Sequence, residues 1–223
     1  MKSMLTLLLG ALMPLVCAFG ANGQQGKSSS KGSKVIIAVN TPDNGGYYVD
    51  QDGNSVFEQK FDTVSTFSEG LAAVAQNGKW GFINTKGKVV IPFKFNQVGR
   101  FVGGVTVVYL NGKMGYINTK GKLISPLYDD IVFYKEGWGI TVQNGLHGVV
   151  NKGKEVIPCK YDEIYYDEDG FFIVCQDGKQ GLYNFQGEQV APCIYDDVHG
   201  VSDGFAIVTR GGKNPKYGFI NTK

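Results

Sequence analysis

Residues 79–87 read KWGFINTKG, and this stretch returns along the chain at a nearly constant interval. Later copies begin at Lys113, Leu146, Lys179 and Lys216. The glycines that define the copies are Gly81, Gly115, Gly148, Gly181 and Gly218. Their spacing of 33 to 37 residues is typical of repeat proteins. A weaker copy precedes them at residues 46–53. Most of the chain therefore consists of about five copies of one unit.

Three further elements recur in phase with the glycine. The first is an apolar segment that ends in proline, at Pro92, Pro126, Pro158 and Pro192. The second is an aromatic residue followed by an acid, at Asp62, Asp129, Asp162 and Asp196. The third is an Asn-Gly or Asp-Gly pair at residues 77–78, 111–112, 144–145 and 177–178. Each unit therefore contains several short apolar segments separated by turn residues.

These spacings predict an all-β fold. An Asn-Gly or Asp-Gly pair between two apolar segments indicates a β-hairpin, because a type I′ turn needs two residues with positive φ. We expect each unit to be a three-stranded antiparallel meander in which proline ends the second strand and the acid caps a local turn. One meander cannot bury its own face, so neighbouring units must stack. The prediction is a tandem array in an open curved stack or solenoid, with a closed β-propeller as the alternative.

Composition narrows the class of protein. The 223 residues include 32 glycines, 43% hydrophobic residues and a net charge of +2. The apolar content excludes an intrinsically disordered protein, and the glycines lack the triplet spacing of collagen. The lysines at positions 2, 27, 31 and 34 supply the positive charge, which argues against a nucleic-acid-binding protein.

The N-terminal residues are predicted to direct export. Lys2 precedes an apolar segment at residues 4–16, and small residues follow it, as in a secretory signal peptide. We expect a signal peptide at residues 1–23, cleaved after Gly20 or Gly23, a polar linker at 24–33 and a β domain at 34–223. A transmembrane anchor is the alternative reading of residues 3–21. Lipidation at Cys17 is disfavoured, because Val16 stands where a lipoprotein signal needs a small residue. The expected location is the periplasm or the cell surface.

The repeat resembles the bacterial WG (KWG) repeat, whose pattern is roughly KWGFINxxGxxVIPxxYD followed by FSEGLAxV. Residues 78–97 match the first part closely and residues 67–74 the second, and the resemblance extends over about residues 34–223. The tryptophan of the motif is retained only as Trp80. The resemblance implies a repeat-array binding module and no reaction.

Candidate binding residues occupy the variable position before each defining glycine. They are Trp80, Met114, His147, Gln180 and Tyr217. A position that varies within a fixed frame is expected to face solvent and to adjust recognition, although neutral variation at an exposed site produces the same pattern. The expected partner is a protein or a glycan at the bacterial envelope and not a nucleic acid.

No catalytic chemistry is predicted. The chain has two histidines and none of the common nucleophile, P-loop or dinucleotide motifs, so we expect no enzyme, no metal and no cofactor. The alternatives are a glycan hydrolase, which needs a pair of carboxylates outside the repeat pattern, and a structural spacer. Cys159 and Cys193 follow equivalent prolines, which suggests a disulfide between stacked units. The competing interpretation is that the cysteines are small buried side chains.

Overall fold

The computed structural model describes residues 35–135, 137–167 and 169–223, so the predicted signal peptide and linker lie outside the described residues. These residues form β-strands, turns and loops, with no helix among them. All sheets belong to one unit, Ile36–Lys223. The all-β prediction is therefore confirmed.

Six antiparallel sheets follow one another in chain order, and each is a meander. Sheet 1 contains β1 (Ile37–Thr41) and β2 (Gly45–Val49). Sheet 2 contains β3 (Thr63–Val64), β4 (Leu71–Gln76), β5 (Lys79–Asn84) and β6 (Val89–Phe95). Sheet 3 contains β7 (Gln97–Val98), β8 (Val105–Leu110) and β9 (Lys113–Asn118). Sheet 4 contains β10 (Asp130–Lys135), β11 (Trp138–Gln143), β12 (Leu146–Asn151) and β13 (Lys154–Tyr161). Sheet 5 contains β14 (Glu163–Asp167), β15 (Phe171–Gln176), β16 (Lys179–Asn184) and β17 (Gln189–Tyr195). Sheet 6 contains β18 (Asp197–Ser202), β19 (Phe205–Arg210) and β20 (Lys216–Asn221).

The predicted three-stranded meander is confirmed in strand number for sheets 3 and 6, but it is wrong for sheets 2, 4 and 5 and wrong in phase. Sheets 2, 4 and 5 have four strands, and each sheet after the first begins at the aromatic-acid pair. The backbone N–H of Asp62 donates to the Ala75 carbonyl at 2.9 Å, and that of Asp162 donates to Cys175 at 2.9 Å. The acid therefore starts an additional first strand instead of a turn, because its N–H joins the hydrogen-bond ladder of the next hairpin.

The predicted hairpin turns are confirmed. At the β4–β5 connection φ is 54° at Asn77 and 70° at Gly78, and Gln76 pairs with Lys79 across the turn. The same backbone recurs at residues 111–112, 144–145 and 177–178. Both central residues have positive φ, as a type I′ turn requires.

A second recurring turn is organised by asparagine. The Asn84 Oδ1 atom accepts hydrogen bonds from the backbone N–H groups of Lys86 (3.0 Å) and Lys88 (3.1 Å). Asn118 and Asn184 make the equivalent pairs of bonds. This side-chain turn explains the asparagine at the end of β5, β9 and β16, whereas Asn151 at the end of β12 pairs with Lys154 and its Oδ1 atom has no partner among the described residues.

Three of the five defining glycines, Gly81, Gly148 and Gly181, lie very close to the backbone of the neighbouring strand, whereas Gly115 lies closest to the Leu127 and Leu123 side chains. The prediction that proline ends its strand is wrong for Pro92, which lies exposed within β6. Near this point the register between β6 and β5 shifts between Trp80 and Phe82. A Cβ atom on Gly81 would lie 2.6 Å from the Ile91 carbonyl oxygen, and one on Gly148 would lie 2.6 Å from that of Ile157. Gly218, in the three-stranded sheet 6, has no such neighbour. The prolines are tolerated because edge strands and bulges do not need every N–H.

The core is a series of layers between consecutive sheets. We call the side of each sheet that packs on the following sheet its forward face, and the opposite side its backward face. Phe82 and Ala73 on the forward face of sheet 2 pack with Val108 and Ile117 on the backward face of sheet 3. The other four layers have the same arrangement.

Hydrogen bonds also connect neighbouring sheets. The Glu69 carboxylate accepts from the Gly103 (2.5 Å) and Gly104 (2.8 Å) N–H groups, and the Tyr161 and Tyr183 hydroxyls lie 2.8 Å apart.

Substitution of the motif glycine tests the close approach. Gly148→Ala should lower the free energy of unfolding by about 1–3 kcal/mol, because the methyl group overlaps the Ile157 carbonyl and the edge strand must move. Gly218→Ala is the matched control, since the nearest atom to its new Cβ is Val208 Cγ2 at 3.7 Å. Urea denaturation monitored by tryptophan fluorescence measures both. Equal effects of the two substitutions would contradict the role of the edge strand.

Candidate functional site

The variable residues lie mainly between sheets, so the expectation that this position faces solvent is wrong. Trp80 packs against the cluster that includes Phe101 and Val108 of the following sheet segment. Met114 packs against the layer that contains Ile131 and Val150. These contacts arise because the position belongs to the forward face, which the next sheet covers.

The three remaining variable residues differ in environment. The Gln180 Oε1 atom accepts a hydrogen bond from the Val198 N–H of sheet 6 at 2.7 Å. His147 is half-buried, and its Nδ1 atom has no partner among the described residues. Tyr217 is exposed and stacks on His199, with ring centroids 6.2 Å apart. The five residues therefore form no common surface: Trp80 and Met114 pack between sheets, and Gln180 hydrogen-bonds to the next sheet.

A continuous apolar surface covers the forward face of sheet 6. Phe219 is 73% exposed, whereas Phe82, at the equivalent position of sheet 2, is 1% exposed. Phe205, Ile207 and Tyr217 are exposed beside it. The defining glycine spacing places Tyr217 and Phe219 in register with Trp80 and Phe82, so the sequence alone assigns both residues to the same face of their sheet.

A cavity of about 590 Å³ borders this surface, and its lining includes Asp167, Asp169, Asp203, His199 and Phe219. The Asp167 carboxylate accepts hydrogen bonds from the N–H groups of Asp169 (2.9 Å) and Val201 (3.2 Å). Asp169 and Asp203 occupy the acid-glycine turn of the repeat. These positions and hydrogen bonds indicate that the carboxylates form turns. Glu168, which belongs to the same acidic stretch, lies outside the described residues.

The recurring aspartates each hold the closing turn of the next hairpin. The carboxylates of Asp62, Asp129 and Asp162 accept from the N–H groups of Gly78 (3.3 Å), Asn144 (2.7 Å) and Asp177 (2.8 Å), respectively. The turn that they cap is thus not the local one that we expected, but one 15 or 16 residues later. Within the described ranges no group of three or more His, Cys, Asp and Glu side chains is arranged to hold a metal ion.

Two of these carboxylates also bind lysine. Asp129 contacts Lys113 Nζ at 2.7 Å, and Asp196 contacts Lys179 Nζ while it accepts from the Gly211 and Gly212 N–H groups. The lysine hydrogen bonds are the largest cause of a lowered pKa at both residues, and the pKa of Asp196 falls to about 2.

The structure does not join Cys159 to Cys193, and the three described cysteines are free. Cys159 Sγ lies 3.1 Å from Thr141 Oγ1 in its own sheet, and Cys193 Sγ faces the Val174 carbonyl in its own sheet. Cys159 belongs to the layer between sheets 3 and 4, whereas Cys193 belongs to the layer between sheets 4 and 5. Equivalent residues of stacked sheets point in the same direction, about 10 Å apart, so a disulfide cannot form. Burial raises the pKa of Cys159, Cys193 and, to about 11, Cys175.

A row of exposed lysines lies on the turns that follow the KWG strands of three consecutive sheets, two on each turn. This lysine row consists of Lys86, Lys88, Lys120, Lys122, Lys152 and Lys154. None of the six forms an ion pair with another described residue. The sequence contained this signal, but the near-neutral net charge concealed it, because acids elsewhere in the β domain balance these lysines.

The sequence profile of the WG-containing repeat matches residues 48–80, 80–113, 114–146, 151–179 and 181–213. The chain belongs to the WG-containing repeat family. The proposed resemblance is therefore confirmed. Each match runs from one sheet into the next, so one sequence repeat connects two sheets.

Similar solved structures have low sequence identity. A KlHsv2 variant with loop 6CD replaced by a Gly-Ser linker is 14% identical over 79% of this chain and 73% of its own, with a TM-score of 0.42. BamB from Moraxella catarrhalis is 12% identical over 78% of this chain and 63% of its own, with a TM-score of 0.36. A protein of unknown function from Bacteroides caccae is 12% identical over 84% of this chain and 89% of its own, with a TM-score of 0.31. No curated protein sequence matches the chain. In the part of the chain that the structure describes, no helix is long and apolar enough to cross a membrane.

The aspartate-lysine contact predicts an acid-sensitive contribution to stability. Because the folded state lowers the pKa of Asp196 from 3.8 to about 2, its contribution is complete above pH 3.8 and is lost as the pH falls toward about 2. Asp196→Asn should lower the urea midpoint near neutral pH, and its difference from the wild-type chain should shrink as the pH falls toward 2.

The control is Asp52→Asn, in the exposed turn of the weak first copy. Its urea midpoint should follow that of the wild-type chain at every pH. A constant difference between Asp196→Asn and the wild-type chain over the whole pH range would contradict the electrostatic explanation.

Proposed function

We propose that this WG-repeat chain is an exported binding module and that the lysine row binds acidic polysaccharides of the bacterial envelope. The observation that carries the proposal is the recurrence of two exposed lysines on the same turn of three neighbouring sheets. A repeat family with stacked β-sheets suits a binding or structural role, and a row of uncompensated charge favours binding.

The contacts between turns and sheets make the row continuous. A Cβ atom on Gly121, in the sheet 3 turn, would lie 3.0 Å from Ile91 of sheet 2. One on Gly153, in the sheet 4 turn, would lie 2.9 Å from Tyr116 of sheet 3. Each turn thus lies against the preceding sheet, and stacked sheets are about 10 Å apart. The lysine pairs therefore repeat along one side of the stack at a spacing suited to an extended polymer.

The row has defined ends. The corresponding turn of the weak first copy carries Asp52 and Asn54, and that of sheet 5 carries Gln186 and Glu188. Among sheets 1 to 5 the positive charge at this turn is thus confined to sheets 2, 3 and 4, and Lys223 of sheet 6 lies beyond the acidic turn of sheet 5. An extended anion that follows these three turns meets six ammonium groups without approaching an acidic turn of the same kind.

The chemistry of the row favours a polysaccharide over a nucleic acid. The lysine turns at residues 84–88, 118–122 and 151–154 contain no aromatic side chain, whereas single-stranded nucleic acids are held by stacking on aromatic rings. The β domain also lacks the strongly positive net charge of most proteins that hold duplexes. Lysine acts as a strongly hydrated point charge, which suits carboxylate or sulfate groups along a flexible chain.

Two further parts belong to the proposal. Export rests on the apolar leader and the small residues that follow it at positions 18–23. An open stack is favoured over a closed ring because both terminal sheets have exposed apolar side chains, Ile37 on sheet 1 and Phe219 on sheet 6.

Neutralising one lysine on each turn tests the binding site. The triple variant Lys86→Gln, Lys120→Gln and Lys154→Gln should bind polygalacturonate at least about 10-fold more weakly than the wild-type chain, and its affinity should depend less steeply on salt. Isothermal titration at two salt concentrations measures both quantities.

The matched control is the triple variant Lys60→Gln, Lys213→Gln and Lys216→Gln, which removes the same charge from exposed lysines outside the row. It should retain wild-type affinity, and uncharged dextran should not bind any variant. Equal losses in the two triple variants, tighter binding of DNA than of polygalacturonate, or no binding to the wild-type chain would each contradict the proposal.

A further inference from the structure

The two terminal sheets present opposite faces of the same repeated interface. On sheet 6 the uncovered side is the forward face, with Phe219, Phe205 and Ile207 exposed. On sheet 1 the side that no other described sheet covers is the backward face, with Ile37 exposed and Val39 and Val49 half-buried. In every internal layer a forward face contacts a backward face. The first and last described sheets therefore present the two halves of a contact that the described residues already make five times.

The side chains at the two ends fit this contact. Pairing registers place Phe219 in line with Phe82 and Tyr48, and Val49 in line with Ile83 and Ile117. The forward positions of sheets 1 and 2 hold the aromatic residues Tyr48 and Phe82, which pack on Ile83 and Ile117, respectively, in the following sheets. Phe219 on sheet 6 and Val49 on sheet 1 repeat this combination of an aromatic and a β-branched side chain.

We propose that copies of this chain associate head to tail, with the forward face of sheet 6 in one copy packed on the backward face of sheet 1 in the next. The occupant of the exposed aromatic surface is thus a second copy of the chain, and the new interface continues the register of the internal layers. Exposed apolar patches of this kind mark association surfaces in soluble proteins.

This contact is heterologous, because it joins two different surfaces. Each copy that binds through sheet 6 leaves its own sheet 1 free, so association continues until a ring closes or a linear polymer forms. An aromatic-to-aromatic contact between two sheet 6 faces would instead give a symmetric dimer that stops at two copies.

Two charge substitutions and their mixture test the proposal. Phe219→Asp places a carboxylate on the forward face of sheet 6, and Ile37→Asp places one on the backward face of sheet 1. Both positions are exposed, so the fold should be retained, which circular dichroism and thermal unfolding verify. The variants are made in the 223-residue chain, and sedimentation velocity measures their mass over a wide concentration range.

The wild-type chain should form assemblies of several copies, and each single variant should associate about 100-fold more weakly, because an unpaired charge is costly in an apolar interface. An equimolar mixture of the two variants should form a dimer and nothing larger, since one intact sheet 6 face then meets one intact sheet 1 face. Val90→Asp, an exposed apolar position of sheet 2, is the control and should assemble like the wild-type chain.

Three outcomes would overturn the proposal. A wild-type chain that remains monomeric at all concentrations would indicate that sheet 6 of one copy does not bind sheet 1 of another copy. An Ile37→Asp variant that still dimerises, with no rescue in the mixture, would indicate contact between two sheet 6 faces. Loss of assembly in Val90→Asp would indicate a nonspecific effect of added charge.

Discussion

The repeat depends on the close approach of an edge strand to the glycine of the WG motif. At Gly81, Gly148 and Gly181 the carbonyl of the residue before proline lies within 2.6 to 2.8 Å of where a Cβ atom would be. The register shift beside the glycine bends the edge strand, as a β-bulge does. The bent strand then pairs again at a buried aromatic residue, such as Phe95 opposite Trp80. Directly after this residue the chain passes to the next sheet, so the glycine contact fixes where one sheet ends and another begins.

Stacking explains why the residue beside this glycine varies. The position lies on the forward face, where each side chain meets a different neighbour. Trp80 fills an apolar layer, whereas Gln180 satisfies the Val198 N–H of the next sheet. Trp80 and Gln180 therefore each suit the part of the following sheet that they meet. The same position is exposed at Tyr217, on the last described sheet.

The sequence predicted the parts of the fold that local chemistry determines. The turn at Asn77-Gly78 needs two positive φ angles, and an Asn-Gly pair predicts such a turn from the sequence alone. The number of strands in a sheet was not predictable in the same way, because β3 and β7 have two residues each and no apolar alternation. The position of the boundary between sheets 1 and 2 depends on which hairpin supplies the carbonyl group that accepts the Asp62 N–H. Tertiary contacts, and not the local sequence, determine which hairpin this is. The cysteine pairing failed for a related reason, since equal repeat positions share a direction and do not face each other.

These constraints also determine where a stacked repeat protein has surface left for recognition. Both faces of sheets 2 to 5 are occupied by their neighbours, and the recurring aspartates are occupied by hairpin turns. Residues that are free to differ without disturbing the stack lie on the exposed turns and on the two terminal faces. The lysine row uses the first kind of surface and the aromatic face of sheet 6 uses the second. A polymer bound along the turns leaves the terminal faces uncovered, so lateral binding and head-to-tail association are compatible in one molecule.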